Sequence, residues 1–173
     1  MHPEIDNFVV KVKQKFPEFF EGAKVLEVGS QNINGSVRSH FKNCDYLGID
    51  LGEAPGVDLV VDINEYWAPK QYDTVISSEM LEHCENWEGA LRRMYDNLKP
   101  GGLMILTCAS INRQEHGTNN HTPQDSKFTL NHYRNISLAD FASVLPPDAF
   151  NDYDLGMYRG DCDLYFYGIK KPS

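Results

Sequence analysis

Residues 25–30 constrain the fold of this chain more than any other segment. A short apolar run ends there in Glu27, Val28 and Gly29, and a polar loop rich in Ser and Asn follows. A second apolar run ends in Asp50, 21 residues after Gly29. In doubly wound α/β domains, such glycines let the backbone approach a ligand, and the second acid can accept hydrogen bonds from ribose hydroxyls. The segment therefore predicts a crevice for a nucleoside-bearing cofactor.

Apolar runs along the chain predict the strands of a sheet. Five runs rich in Val, Ile and Leu are nearly continuous, as is typical of parallel strands that are buried on both faces. They cover residues 24–28, 46–49, 57–61, 74–77 and 103–107. Two further runs, 150–157 and 164–169, flank Arg159-Gly160-Asp161 and predict an antiparallel hairpin.

Apolar residues at helical spacing predict a helix over 3–21, which Pro17 kinks or ends, and a second helix over 87–98 with Asn86 as its N-cap. Ser137 followed by Asp140 resembles a capping box that opens a third helix. The whole pattern predicts the α/β class, with a doubly wound, seven-stranded, mostly parallel sheet that ends in an antiparallel C-terminal hairpin. We expect one domain over 1–173.

The composition of the chain limits the classes of partner that it could bind. The net charge is -9, with 25 acidic against 16 basic side chains. Because affinity for DNA or RNA comes mainly from neutralised phosphates, an acidic chain without a Lys/Arg cluster is a poor candidate for nucleic-acid binding. No apolar run approaches the ~18 residues of a membrane span, and the N-terminus lacks the pattern of a signal peptide. These features predict a cytoplasmic protein without a membrane partner.

The four cysteines form no C-x-x-C pair, which predicts reduced thiols and no metal knuckle. Apolar surface on the predicted N-terminal helix and terminal hairpin could be buried within the chain or pair two chains, so a homodimer is left open.

Three further sequence features lie beside the later predicted strands. Asp62 follows the third predicted strand, the tail Glu79-Met80-Leu81-Glu82-His83 follows the fourth, and Leu98-Lys99-Pro100-Gly101-Gly102 precedes the fifth. Together with residues 25–35 and 47–50, they resemble the class I S-adenosylmethionine-dependent methyltransferases, in particular their small-molecule "type 11"-like group. The resemblance implies a Rossmann-like methyltransferase fold, S-adenosyl-L-methionine as cofactor, and methyl transfer to a small-molecule or sugar-like (glycan-type) acceptor.

The resemblance also implies which residues contact the cofactor. Gly29 and Ser30 would face its methionine part, and Glu27 would organise the loop or reach the amino group. Asp50 would accept from the ribose, Asp62 and Ile63 would border the adenine, and Ser78 and Glu79 would lie near the sulfonium. The implied cofactor-binding set is Glu27, Gly29, Ser30, Gly35, Asp50, Leu51, Asp62, Ile63, Ser78 and Glu79.

Two other functions remain open. The same fold could bind S-adenosylmethionine as a partner protein without turnover, or the chain could be another nucleotide-dependent enzyme, such as a dehydrogenase. The irregular spacing between Gly29 and Gly35 argues against a dehydrogenase, because a dinucleotide pyrophosphate needs closely spaced glycines at a helix N-terminus.

Catalytic candidates follow strands four and five, because ligands of open α/β sheets bind outside the carboxyl ends of the strands. His116, in a long non-periodic segment over 109–135, is the first candidate for a base or acceptor contact, and His83 is the second. We expect that segment to be the acceptor-side loop and Tyr133 to line its pocket. Glu115, His116 and His121 lack a tight metal-ligand spacing, so no metal is predicted. Glu82, Glu85 and Glu88 are predicted to form a solvated face.

Overall fold

A seven-stranded mixed sheet forms the centre of the computed structural model, which describes residues 3–129 and 131–172. The strands in chain order are β1 (Lys24–Val28), β2 (Asp45–Asp50), β3 (Leu59–Val60), β4 (Tyr72–Ser78), β5 (Leu98–Ala109), β6 (Phe150–Tyr158) and β7 (Asp163–Lys170). The sheet order is β3-β2-β1-β4-β5-β7-β6, and β7 runs antiparallel to both of its neighbours. The predicted fold class is confirmed.

Helices cover the two faces of this sheet. They are α1 (Pro3–Lys15), α2 (Trp87–Asn97) and α3 (Leu138–Val144). Side chains of each strand alternate between two apolar clusters, so that Val25 packs with α1 on one face while Leu26 packs with α2 and α3 on the other. Both residues are fully buried. This burial on both faces is the reason that the strand sequences are almost uninterrupted apolar runs.

The strand order reverses at β1, which lies between β2 and β4. The chain leaves β1 toward one side of the sheet and leaves β4 toward the other, so the loops that follow these two strands diverge. A crevice opens between them at the carboxyl edge, which is the usual ligand site of such sheets.

Three predicted boundaries differ from the structure. The first helix ends at Lys15, not at residue 21, because Pro17 lacks the N–H that a continuing helix needs and instead begins a short 3-10 turn over Pro17–Phe19. The third strand keeps only Leu59–Val60, because it lies at the edge of the sheet and pairs with β2 alone. The fifth strand begins at Leu98, not at residue 103, and the register with β4 shifts at a bulge near its start.

Side chains cap two of the helices as predicted. The Asn86 side chain accepts a hydrogen bond from the Gly89 N–H at 3.2 Å, at the start of α2. At the start of α3, the Ser137 hydroxyl accepts from the Asp140 N–H (3.1 Å), and the Asp140 carboxylate accepts from the Ser137 N–H (2.9 Å). These bonds satisfy N–H groups that the first helical turn leaves without partners.

Other predictions have mixed outcomes. The cysteines are free thiols, as predicted. In the described ranges 3–129 and 131–172, no helix has the length and apolarity that a bilayer crossing requires. The apolar side of α1 packs on the sheet of the same chain, and a homodimer stays a prediction, as does the extent of the single domain. Leu130, within the predicted acceptor-side loop, lies outside the described residues.

Removing the capping box should destabilise the protein measurably. We expect Ser137→Ala to lower the free energy of unfolding by about 1 kcal/mol, because the substitution leaves an N–H at the start of α3 without its acceptor. Ser143→Ala in the same helix is the matched control, since Ser143 is exposed and its hydroxyl only donates back to the Asp140 carbonyl (2.6 Å). Urea unfolding measures both, and equal losses in the two variants would contradict the role of the box.

Candidate active site

The turn after β1 depends on Gly29. Its φ of +79° is unfavourable for other residues, and a Cβ atom there would lie 2.7 Å from the Cβ of Met80. The N–H groups of Gly29 and Ser30 both donate to the Ile49 carbonyl, at 3.0 and 3.1 Å, which holds the turn against the end of β2. The Ser30 hydroxyl is buried and has no hydrogen-bond partner among the described residues. Because Ser30 also lines a cavity, a ligand bound there could supply the missing partner.

Asp50 is held at the end of β2 by the backbone. Its carboxylate accepts hydrogen bonds from the N–H groups of Gln31 (3.0 Å) and Leu51 (2.7 Å). Burial raises the pKa of this carboxyl, and the two backbone bonds oppose that rise. Each carboxylate oxygen can accept a second hydrogen bond, so Asp50 can still receive a donor from the crevice.

Glu27 is a buried acid at the end of β1. Its Oε2 atom accepts a hydrogen bond from the Tyr46 hydroxyl at 2.9 Å, and the side chain lines the crevice. Burial raises the pKa of Glu27 to about 7, although the bond from Tyr46 and the charge of Arg38 oppose the shift. A carboxylate that is desolvated in this way would gain from a cationic ligand.

Two adjoining cavities form the crevice. The larger has a volume of about 660 Å³ and the smaller about 430 Å³, and Gly29, Asp50, Met80, His83 and Phe128 line both. Each predicted cofactor-binding residue lines at least one of them. Those in the larger cavity are Glu27, Gly29, Ser30, Gly35, Asp50, Ser78 and Glu79, and those in the smaller are Gly29, Asp50, Leu51, Asp62 and Ile63. The structure thus brings the predicted set together, and its cofactor role stays a prediction.

Asp62 and Phe128 both line the smaller cavity. At the smaller cavity, the Asp62 carboxylate accepts from the N–H of Asn64 (2.8 Å) and so caps the short 3-10 turn Ile63–Glu65. Phe128, which the sequence analysis missed, lines both cavities, and its ring lies where a Cβ on Gly52 would be 2.5 Å away. A single aromatic residue in a polar loop was the only signal for it.

The acceptor-side loop brings His116 against His83. Their ring centroids lie 4.9 Å apart in an edge-to-face arrangement, and the Tyr133 ring contacts both, at 5.0 Å from His116 and 5.6 Å from His83. Gly117 makes this contact possible, because a Cβ there would lie 2.7 Å from His83 Cε1. Both predicted catalytic histidines line the larger cavity. Tyr133 lies beside them, although it does not line that cavity.

Both imidazoles are held in the neutral form. Burial, with the neighbouring His116, lowers the pKa of His83 to about 4. Burial also lowers the pKa of His116, although a backbone hydrogen bond to Gln114 opposes the shift. Neutral imidazoles can accept a proton or a metal ion, but they do not attract an anion.

The prediction of a solvated acidic face is wrong for Glu82. Glu85 and Glu88 are exposed, whereas Glu82 is completely buried. Burial raises the pKa of Glu82 well above its usual range, and the neighbouring Glu79 raises it further. The sequence missed this burial because Glu82 lies in a 3-10 turn, Leu81–His83, whose three side chains are all buried, and not on a solvent-facing helix.

Glu79 occupies a strained position at the end of β4. Its φ is +53°, a conformation that non-glycine residues seldom adopt and that is frequent at functional sites. Burial raises the pKa of Glu79 to about 7, and the nearby charge of Asp163 adds to the shift. The Arg113 guanidinium lies 3.9 Å from its carboxylate and donates to Asp163 at 2.9 Å. Arg113 thereby joins the acceptor-side loop to β7.

One group of side chains could hold a metal ion. Glu82, His83 and His116 each present a ligand atom, and these three atoms lie within 4.8 Å of one another. The sequence analysis had considered a different set, Glu115, His116 and His121.

Comparisons with known proteins agree with this fold. A family model described as a methyltransferase domain matches residues 4–153. The ubiquinone biosynthesis O-methyltransferase of Pseudomonas savastanoi pv. phaseolicola is 34% identical over 109 residues, which cover 53% of this chain and 46% of that protein. The chain thus spans about half the length of the curated relatives it matches.

Solved structures are similar over almost the whole chain. Phosphoethanolamine N-methyltransferase 2 of Haemonchus contortus, in complex with S-adenosyl-L-methionine, has a TM-score of 0.70 at 17% identity, covering 96% of this chain and 53% of that one. The 1,6-didemethyltoxoflavin-N1-methyltransferase of Burkholderia thailandensis, with S-adenosylhomocysteine, has a TM-score of 0.67 at 14% identity, covering 98% and 79%.

Because the family model covers most of the chain, this chain belongs to the methyltransferase domain family. The class predicted from the motifs, the S-adenosylmethionine-dependent methyltransferases, is confirmed, as is S-adenosylmethionine as the cofactor of that class.

Buried Glu27 should make the stability of the ligand-free protein depend on pH. Its folded pKa of about 7 lies above the usual 4.5, so its protonated form stabilises the fold below pH 4.5 and that stabilisation is lost as the pH rises through 7. Glutamine cannot ionise. We therefore expect Glu27→Gln to match the wild type at low pH and to be more stable by roughly 3 kcal/mol above pH 7.

Urea unfolding at a series of pH values measures this difference. Glu79 and Glu82 are present in both proteins, so their contributions cancel in the comparison. Exposed Glu18→Gln is the matched control and should follow the wild-type curve. A constant gap between Glu27→Gln and wild type across the range would contradict the assignment.

Proposed function

We propose that this chain transfers the methyl group of S-adenosylmethionine to a hydroxyl of a small-molecule or sugar-like acceptor. One observation carries the proposal: the residues that follow β1, β2 and β4 line one continuous crevice, and the His83–His116 pair lines its acceptor end.

The side chains of the crevice suit the chemical groups of this cofactor. Buried Glu27 and partly buried Glu79 both line the larger cavity, and these two acids would suit an ammonium and a sulfonium. Asp50, held by two backbone N–H groups, lies where the cavities meet and would accept from ribose hydroxyls. The smaller cavity, bordered by Ile63 and Leu51, would receive the adenine. Gly29 and Gly35 are six residues apart, whereas a pyrophosphate needs closely spaced glycines at a helix N-terminus.

For methyl transfer, the main task of the protein is to align the acceptor with the methyl group. When bound, S-adenosylmethionine supplies a methyl group that its positive sulfur already activates for in-line displacement. The chain must then orient an acceptor oxygen, exclude bulk water and assist the loss of the hydroxyl proton. His83 and His116, both neutral and both on the cavity wall, are positioned to assist that loss.

Several features favour a hydroxyl on a polar small molecule. The acceptor-side loop contributes Gln114, Asn120 and Lys127 to the wall of the larger cavity, and these side chains can form hydrogen bonds with a polyol or phenol. The relative from Pseudomonas is named as an O-methyltransferase, although only about half of its length is matched. The net charge of -9 disfavours nucleic-acid acceptors. A cytoplasmic location remains a prediction from the sequence.

A calorimetric titration with S-adenosylhomocysteine, NADH and ATP tests the cofactor. We expect only S-adenosylhomocysteine to bind, and we expect it to raise the free energy of unfolding by about 2.7 kcal/mol at 100 times its Kd. Asp50→Ala should weaken that binding at least tenfold, because the ribose loses its acceptor. Asp45→Ala is the matched control: Asp45 is exposed at the opposite end of β2. Binding of NADH alone would overturn the proposal in favour of a dehydrogenase.

The acceptor class is tested by turnover. The protein is mixed with S-adenosylmethionine and panels of phenols, catechols and monosaccharides, and release of S-adenosylhomocysteine is followed. Release with a hydroxyl acceptor supports the proposal. Tight cofactor binding without release in any panel would favour a non-catalytic partner protein.

With an acceptor that turns over, His116→Ala should separate catalysis from cofactor binding. We expect kcat to fall roughly 10²- to 10⁴-fold, since assistance to proton transfer typically contributes that much. The Kd for S-adenosylhomocysteine should stay within about twofold of wild type, because His116 is not among the residues assigned to the cofactor. Unchanged kcat would remove His116 from the catalytic set.

A further inference from the structure

Glu82 is a buried carboxylate without a compensating partner. Its side chain is completely buried, and neither oxygen makes a hydrogen bond of normal geometry with the described residues. The N–H groups of Glu82 itself and of Ala109 are near enough to favour the charged form, but they do not meet hydrogen-bond geometry. A buried carboxyl without hydrogen bonds is costly, and a bound cation would give its oxygens a partner.

The two imidazoles beside Glu82 are oriented as metal ligands usually are. His116 Nδ1 lies 3.2 Å from the Gln114 carbonyl, which leaves Nε2 free to coordinate. The buried Nδ1 of His83 has no hydrogen-bond partner among the described residues, so it can also coordinate a metal ion. Histidine ligands typically use one ring nitrogen for the metal and the other for a backbone or carboxylate partner.

We propose that Glu82, His83 and His116 bind one divalent transition-metal cation at the floor of the acceptor cavity. Two imidazoles and a carboxylate suit Zn²⁺, Mn²⁺ or Fe²⁺. This site contradicts the sequence expectation of no metal. Sequence spacing could not reveal it, because His116 lies 33 residues after His83 and meets it only through the fold of the acceptor-side loop.

The distances require only a small adjustment. The three ligand atoms lie within 4.8 Å of one another, and ligands at ordinary bond lengths of about 2.0 to 2.2 Å lie roughly 3.3 to 4.2 Å apart across a metal. Side-chain rotations that move the ligand atoms by about 1 Å would bring them to coordination distance. His116 is only partly buried and can supply most of this movement.

The local charge also favours a cation. A second acid, Glu79, lies near Glu82, three residues before it in the chain. The nearest cationic group to Glu79 is Arg113, whose guanidinium is 3.9 Å away and also pairs with Asp163. A divalent ion between the Glu82 side chain and the two imidazoles would take the place of the carboxyl proton and compensate the charge of the carboxylate.

Such an ion would explain how a hydroxyl acceptor is activated, an inference that rests on the proposed function. His83 and His116 line the cavity while Glu82 lies behind them, so the open coordination positions would face the acceptor. An acceptor oxygen bound there would release its proton to water more readily, because the metal stabilises the alkoxide or phenolate. The two histidines would then act as ligands and not as bases.

Metal binding is tested directly on the whole chain. The protein is stripped with a chelator and titrated by calorimetry with MnCl2 or ZnCl2, and bound metal is counted by elemental analysis after dialysis. We expect about one ion per chain. Glu82→Gln, His83→Ala and His116→Ala should each weaken binding more than tenfold, since loss even of an outer partner costs 10- to 100-fold. Exposed His121→Ala, in the same cavity, is the matched control and should bind as wild type.

Two outcomes would overturn the metal site, and two further measurements separate it from misfolding and from the proposed function. Failure of the wild type to retain either metal, or equal retention by the His83→Ala/His116→Ala double variant, overturns it. Gln has nearly the shape of Glu, and the Glu82 carboxyl has no hydrogen bond to lose in the stripped protein. Glu82→Gln should therefore melt no lower than the stripped wild type, and this keeps loss of binding distinct from loss of folding. Binding of S-adenosylhomocysteine is measured on stripped protein: its absence, with metal retained, contradicts the proposed function and leaves the metal site standing.

Discussion

Apolar side chains cover both faces of the central sheet, and this burial leaves only the edges for polar chemistry. Strands β1, β2 and β4 run parallel, so their carboxyl ends emerge together at one edge. The reversal of strand order at β1 separates the loops that follow, which opens a crevice at that edge. Each acid assigned to the cofactor lies at, or just after, the carboxyl end of one of these strands or of the short edge strand beside them.

The crevice concentrates features that a purely structural edge would avoid. Glu27 and partly buried Glu79 line it, and completely buried Glu82 lies next to His83 at its wall; desolvation is the main cause that raises the pKa of each. Glu79 also adopts a left-handed backbone conformation. Such features lower the stability of the ligand-free fold, and they are common where a protein holds charged or reacting groups. A cofactor with cationic groups and a bound divalent ion would each compensate part of this charge.

Local sequence patterns predicted most of the fold, because each pattern reports a local physical requirement. The strand cores, the capping box of Ser137 with Asp140 and the Asn86 cap depend on residues close in sequence. Boundaries were less accurate. Pro17 ends α1 earlier than apolar periodicity suggested, and β3 is short because an edge strand has a single neighbour. The likeness to methyltransferases placed ten residues around one crevice, since that set follows strand ends whose order the fold class dictates.

By itself, the sequence determined the fold class, the position of the crevice and the type of cofactor, because alternating buried strands and acidic strand ends are encoded in short segments. Only the tertiary structure decided the environment of Glu82, which looks solvent-facing in sequence and is completely buried. It alone also brought His116 to His83 across the acceptor-side loop, where Gly117 permits the close approach. Burial and contacts between distant segments arise from packing of the whole chain, which no local pattern specifies.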